Sequence, residues 1–512
     1  MVKKKHILLK LIHFISLLAF IYAAYTLVTR NLLPENYRMM AIGAGALIYL
    51  ITGGLLYLRN NSIIGQILMA IILIVLGGAS FVGANYLGRG LDTIDKMNEP
   101  ETKKQVTEFS LVVLKDSDIE AIAQAKEEDV YTALEMDGKN IEKYKAEFAK
   151  AHDFELKLVN DESYIKAAEN LLESNAKVML LNESFRGVIE EAEGLNDFSE
   201  KTRVLEKVEV DITPDPEEEA KIQAELEKEE EDLEALAAEK FADFEDGENP
   251  EEKSTMRGGN VSGFSVYISG IDTYGGVYSS GRSDVNIVMS VNPKRRSIVL
   301  ASIPRDTYTN ISGVGYDKLT HAGIYGVQTS RRTVQNLLSI PIKYHARVNF
   351  SSLIRMVDVL GGINVHNPVS FSQGGYHFPA GNVYLNGTKA LAFARNRKSF
   401  SSGDFARGQN QMRIIQGMIN KAMSPSILTN YQNVLNVIMG SAQTNVPSSL
   451  VVNLINNQIS NGGGWSFRSV QVSGYGTMGK RSAAMPGSRL YMMVPYQNSL
   501  NQVGGSLYRN MK

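Results

Sequence analysis

The chain has 512 residues, a formal net charge of −2 and no cysteine. Those facts exclude a disulfide framework, thiol catalysis and a cysteine-ligated zinc, and a chain of this length holds more than one domain. The near-neutral total hides an uneven distribution of charge, so by itself it names no acidic or basic partner.

The first segment decides where the protein works. Three apolar stretches, 11–28, 39–58 and 63–87, are each long enough for a helix to cross a hydrocarbon core of about 30 Å. Lys3, Lys4 and Lys5 precede the first and Arg59 separates the second from the third, whereas the 31–38 loop offers Arg38 with Glu35 beside it. The positive-inside rule then keeps the N-terminus in the cytoplasm, and three crossings place everything after Leu87 on the outer face. The expectation is a multi-pass protein of the cell membrane, and the avoidance of cysteine fits an exported protein of a Gram-positive bacterium.

From 101 to 210, short apolar runs at 109–114, 154–159 and 177–181 alternate with helical patterns such as 163–173. Strands separated by helices predict a small α/β domain. It carries no Gly-rich phosphate loop, nucleophile motif or metal-ligand cluster, so it reads as an accessory domain. An acidic run and linker follow at 211–262. Ile222, Leu226, Leu233, Leu236 and Phe241 recur there at near-helical spacing, which predicts a solvated, charged spacer helix leading into a Ser/Thr/Gly-rich linker.

The remainder, 263–512, opens with buried-strand patterns at 264–271, 285–291 and 297–303. Helical patterns follow at 331–338, 351–360 and 406–422, so this larger domain is predicted to be α/β, a central sheet sandwiched by helices. Side chains that do chemistry in such sheets collect where strands end. Asp272 ends one predicted strand and Asp284 starts the next; two carboxylates brought together need a cation or a proton, and hard oxygen ligands without His or Cys suit Mg²⁺ or Mn²⁺. The bland alternative is that one Asp caps a turn. Arg282 precedes Asp284, and Arg305 follows an apolar strand directly, with Asp306 beside it as its ion-pair partner. Arg395 and Arg397 are two apart and share a face if the segment is extended, while Arg407 and Gln411 share a helix face close to a helix start. Arginine forks and a helix N-terminus both favour phosphate oxygens.

At these residues the chain resembles the LytR-CpsA-Psr family, and within it the capsule-type members with three membrane helices and an accessory domain before the catalytic one. The motifs Ser-Gly-Ile-Asp272-Thr, Arg282-Ser-Asp284, Pro304-Arg305-Asp306, Arg395-x-Arg397 and Asp404-Phe-x-Arg407-x-x-x-Gln411 stand in the family's order. The resemblance implies a phosphotransferase that ligates a glycan polymer, here capsular polysaccharide, from a polyprenyl-pyrophosphate carrier to peptidoglycan. By the same resemblance Asp272 and Asp284 hold Mg²⁺. Arg282, Arg305, Arg395, Arg397, Arg407 and Gln411 contact the phosphate oxygens, and Arg305 and Asp404 stand nearest the attacking hydroxyl. The family often has Arg where this chain has Asn410, so the helix face carries one cation fewer.

Two other classes fit the same residues. A lipid pyrophosphatase would direct water rather than a sugar hydroxyl with the same metal and arginines. A membrane regulator of capsule biosynthesis would need no acceptor geometry. Implied partners are the carrier-linked glycan, peptidoglycan, the membrane and other capsule assembly proteins; no segment resembles a DNA-binding module, so nucleic acid is not expected.

Overall fold

A computed structural model describes residues 2–29, 35–57, 63–97, 105–244, 262–271, 281–396, 404–424, 434, 437–438 and 440–512. Asp272, Arg397, the Asp404 side chain and the linker at 245–261 lie outside the described residues.

The apolar stretches form three helices, α1 (Val2–Thr29), α2 (Glu35–Tyr57) and α3 (Ile63–Met97). Each contains a span long and apolar enough to cross a membrane: Ile7–Thr29, Glu35–Leu55 and Ile67–Asn85. With no water in a bilayer core, polar groups there bond across helices. Ser16 Oγ donates to the Leu73 carbonyl at 2.7 Å and Tyr49 OH to the Ser16 carbonyl at 2.9 Å, tying the three helices together.

Residues 106–211 build a five-stranded sheet from β1 (Val106–Leu114), β2 (Asp129–Thr132), β3 (Lys157–Asn160), β4 (Val178–Asn182) and β5 (Thr202–Asp211), in the order β3-β2-β4-β1-β5. β2 runs parallel to β3 and β4, whereas β1 is antiparallel to β4 and β5. The helices α4 (Leu134–Ala151) and α5 (Tyr164–Leu172) supply the crossovers that parallel strands require. The Ser163 side chain caps α5 by accepting from the Lys166 amide.

α6 (Pro216–Lys240) starts where Pro sits in the first turn, the Asp215 side chain accepts from the Glu217 and Glu218 amides, and three Glu residues meet the positive helix end. It is not the solvated spacer expected from its charge. Leu226 and Ala237 are buried, and Phe241 just beyond its end enters the core of the larger domain with Leu338, Val503 and Leu507. Glu230 pairs with buried Arg331 at 2.8 Å, Glu229 pairs with Arg332, and Glu234 accepts from Tyr508 OH at 2.8 Å. Much of what looked like free acidic surface is one side of an interface.

The larger sheet contains β6 (Phe264–Ile271), β7 (Ser283–Asn292), β8 (Ser297–Ser302) and, after β9 (Tyr308–Ile311), β10 (Gly315–Lys318) and α7 (Val327–Leu338), the strand β11 (Tyr344–Val348). Four of these pair side by side in the order β11-β6-β7-β8, extended at the two edges by Gln443–Thr444 and Ser466–Gln471. β6, β7 and β8 are antiparallel neighbours, while β11 and Ser466–Gln471 run parallel to their partners. Helices cover both faces, which is why β7 and β8 are buried almost throughout instead of alternating. On one side α7 and the C-terminal helix join Tyr267, Val288 and Ala301; on the other Ile287, Leu300, Met412 and Trp465 pack together.

The two sheets are joined by apolar packing. Val188 and Ile189 of the first region share a buried cluster with Ile324, Met485 and Met492 of the second.

Candidate active site

The site grows from the junction of β6 and β7. Ile271 pairs with Ser283, so the chain leading into Asp272 lies opposite the residue before Asp284. Asp284 is buried, and its Oδ1 accepts from Arg305 Nη1 at 2.9 Å and Thr320 Oγ1 at 2.9 Å. Its Oδ2 is buried with no hydrogen-bond partner among the described residues. A carboxylate oxygen stripped of water and left without a donor is costly, and a hard cation is a natural partner for it. Asp284 is thus a fitting ligand for Mg²⁺. No group of three or more His, Cys, Asp or Glu able to hold a metal occurs among the described residues, which do not include Asp272.

Arg305 leaves β8 through Ile303 and Pro304, and its carbonyl accepts from the Thr320 amide, which fixes the turn. Besides Asp284, it has Asp306 and Glu191 carboxylate oxygens each 3.9 Å away. Burial by itself would lower the Arg305 pKa; the three carboxylates, Asp284 foremost, outweigh it and hold the guanidinium above the usual range. Asp306 also faces Lys318 Nζ at 3.4 Å, consistent with its reading as an ion-pair partner.

Arg407 lies in the first turn of the helix Asp404–Ala422, which presses so closely on the end of β8 that a Cβ at Gly408 would sit 2.4 Å from Ser302 Oγ. Arg407 is buried and donates through Nη2 to the main-chain oxygen of Asp284 at 3.3 Å. Gln411 is one turn further on, half-buried. Asn410 is buried, donates to the Phe393 carbonyl and accepts from Arg413, so the position is filled by structure rather than left open. Arg395 is held differently, beside Phe350 just past the end of β11, and that strand end lies next to the end of β6. It is the C-terminal cap of the helix Gly387–Ala394, with helical rather than extended backbone, and its exposed guanidinium lies 4.6 Å over the Phe350 ring. The shared-face argument for Arg395 and Arg397 therefore lacks the extended strand it required.

Four participants carry no motif in the sequence. Glu191 comes from the turn after the short helix Arg186–Ile189, on the far side of the domain junction, and accepts from Arg282 Nη1 at 2.5 Å. Lys318 ends β10 and reaches Glu191 Oε2 at 3.5 Å. Thr320 braces Asp284. Arg347, fully inside β11, donates to the Gly281 carbonyl at 2.8 Å and the Gly323 carbonyl at 3.1 Å, holding the entry to β7. A Cβ at Gly323 would meet the Gly281 oxygen and the Ser283 amide at 2.5 Å, so that approach needs glycine. Burial pulls the Arg347 pKa down to about 10. An isolated Arg among apolar β residues, as in Ala346-Arg347-Val348, was the one available signal.

The arrangement is a cluster of cations and carboxylates. Arg282, Arg305, Lys318 and Arg407 come together from separate elements, Arg305 and Arg407 on Asp284 and Arg282 and Lys318 on Glu191, which also faces Arg305. A model of the LytR-CpsA-Psr family matches residues 232–494, just over half of the chain. The chain belongs to the LytR-CpsA-Psr family. A second match, to a DNA polymerase processivity factor over residues 65–181, begins within membrane helix α3 and stops inside β4, so it respects no unit of this fold.

Relatives in the LytR-CpsA-Psr family include the polyisoprenyl-teichoic acid–peptidoglycan teichoic acid transferase TagU of Bacillus anthracis, 42% identical over 195 residues, 38% of this chain and 64% of that protein. TagU of Bacillus subtilis is 43% identical over 185 residues (36% and 60%), and that of Enterococcus faecalis 39% over 197 residues (38% and 65%). The chain thus spans less than two thirds of the length of these relatives. The crystal structure of Bacillus subtilis TagU, 33% identical, covers 49% of this chain and 98% of its own with a TM-score of 0.40, too low to carry an argument.

Proposed function

We propose that the chain is a membrane-anchored phosphotransferase that moves a glycopolymer from a polyprenyl-pyrophosphate carrier to peptidoglycan on the outer face of the membrane. The observation that carries this reading is the group around Asp284 and Glu191: three arginines and a lysine gathered from strand ends and a helix start, and a buried Asp284 oxygen with no hydrogen-bond partner among the described residues. The transferase names of the relatives support it. An acceptor hydroxyl attacks the phosphorus that bears the glycan; a P–O bond forms there, the pyrophosphate P–O bond breaks, and polyprenyl phosphate leaves.

Little covalent chemistry is asked of the protein, so its part is orientation and charge. Arg305 and Arg407 would stabilise charge developing on phosphate oxygens, with Arg282, Gln411, Arg395 and Arg397 as further phosphate contacts. Asp284 with Asp272 would hold Mg²⁺, which when bound neutralises pyrophosphate charge. Asp404, at the start of its helix, is the proposed acceptor of the hydroxyl proton. Anchoring by three helices confines the search for a lipid-borne substrate to a plane. Capsular polysaccharide, expected from the resemblance, and the teichoic acid named for the relatives share the pyrophosphate linkage that the site addresses.

The test is transfer of a labelled polyprenyl-pyrophosphate oligosaccharide to peptidoglycan fragments, with Mg²⁺ supplied or chelated. Arg305→Ala and Asp284→Ala are expected to lose roughly a hundredfold or more in rate while remaining folded, and chelation to abolish transfer. Release of free phosphate and glycan without need of acceptor would replace the transferase with a pyrophosphatase.

A further inference from the structure

Arg282 is read as a phosphate-gripping residue, yet among the described residues its side-chain hydrogen bonds go to the first α/β region. Nη1 donates to the Gly187 carbonyl at 3.0 Å and to Glu191 Oε1 at 2.5 Å. The guanidinium lies so close to Gly187 that a Cβ there would be 3.1 Å from Arg282 Cζ. With Nη1 committed to those two acceptors, the plane of the fork is fixed, and among the described residues no hydrogen bond engages Nη2. Glu191 Oε2 meanwhile faces Lys318 at 3.5 Å, and Oε1 is 3.9 Å from Arg305.

We propose that Glu191 is a positioning residue of the active site, supplied by the accessory region, which sets the orientation of Arg282 and Lys318 for the pyrophosphate. This deepens the transferase reading and rests on it. The support under Glu191 is rigid. Its amide donates to the Val188 carbonyl, and Val188 and Ile189 are wholly buried against Ile324, Met485 and Met492 of the larger domain. One of the Arg282 acceptors is main chain and cannot rotate away. The accessory region therefore completes the site, giving it a part in the reaction although it carries no catalytic motif.

The experiment uses the full chain in lipid nanodiscs with the carrier-linked oligosaccharide, Mg²⁺ and peptidoglycan fragments. Glu191→Ala is expected to lower kcat by roughly tenfold or more and to raise KM for the carrier by about threefold, with the melting temperature little changed. Glu191→Gln, whose amide oxygen still accepts from Arg282, should recover part of that loss. In an Arg282→Ala background, Glu191→Ala should add little, because its effect passes largely through Arg282. A kcat within twofold of wild type, an equal loss in both backgrounds, or a rise in kcat on removing Glu191 would each overturn the proposal. If wild type transfers nothing, the transferase reading falls, and calorimetric titration of the same four proteins with inorganic pyrophosphate decides on Glu191 separately. Coupling of threefold or more in Kd between the two positions sustains it, and independence sinks it.

Discussion

Arg305 shows how much a single side chain does here. It closes the buried pair with Asp284 and feels two further carboxylates, so its positive charge is secured in a place where desolvation works against it. Lysine would keep the charge but not the planar fork. Arg305→Lys is accordingly expected to retain folding and lose at least about tenfold in kcat/KM, read in the transfer assay. Asp317, near the site, is structural. Burial would raise its pKa, but hydrogen bonds from His321, the Ala484 amide and Ser482 more than offset this and hold it below the usual carboxylate range. A depressed folded-state pKa stabilises above the unfolded value of about 3.9 and loses that contribution as pH falls through the folded value. The melting-temperature gap between wild type and Asp317→Asn should shrink as pH falls below about 4.

At the scale of elements, α6 is the instructive case. Its leucines suggested a stripe, yet Leu236 is 48% exposed while Ala237 is fully buried, and the anchor is Phe241 beyond the helix end. Phe241 contacts Phe244 and Tyr508 edgewise or tilted and fills the core beside the C-terminal helix. Phe241→Ala should cost about 3–5 kcal/mol in a chemical unfolding curve of the larger domain. A loss below about 1 kcal/mol would mean that the helix is only laid on the surface. The segment after β10 is a second case: its Leu319 and Thr320 amides bond back to the Thr307 and Arg305 carbonyls, which brings Thr320 to the strand end that carries Arg305 and Asp306.

For the whole molecule, the decisive features are the membrane helices and the apolar junction between the two sheets. The cysteine-free chain is well suited to a topology measurement. A single cysteine at Ser117 should react with a membrane-impermeant maleimide added to intact cells, whereas one at Lys4 should react only after permeabilisation. Labelling in the reverse pattern would place both sheets in the cytoplasm and overturn the proposed transfer to peptidoglycan. Ile324, buried in the junction, offers a complementary test: Ile324→Asp would bury an unpaired charge and should separate the unfolding of the two regions into distinct transitions.

Composition and local pattern alone determined the three apolar helices, the alternation of strands and helices, and the strand span 264–271, because hydrophobic length and periodicity are local properties. They also pointed to Asp284, Arg305 and Arg407, since charges at the ends of apolar strands and at a helix start have few structural uses. Only the tertiary structure decided that α6 is docked, that Arg395 belongs to a helix cap over Phe350, and that Glu191, Lys318 and Arg347 serve the same cleft. Glu191 lies 91 residues from Arg282 along the chain, and its meaning comes from an apolar junction that no local pattern encodes.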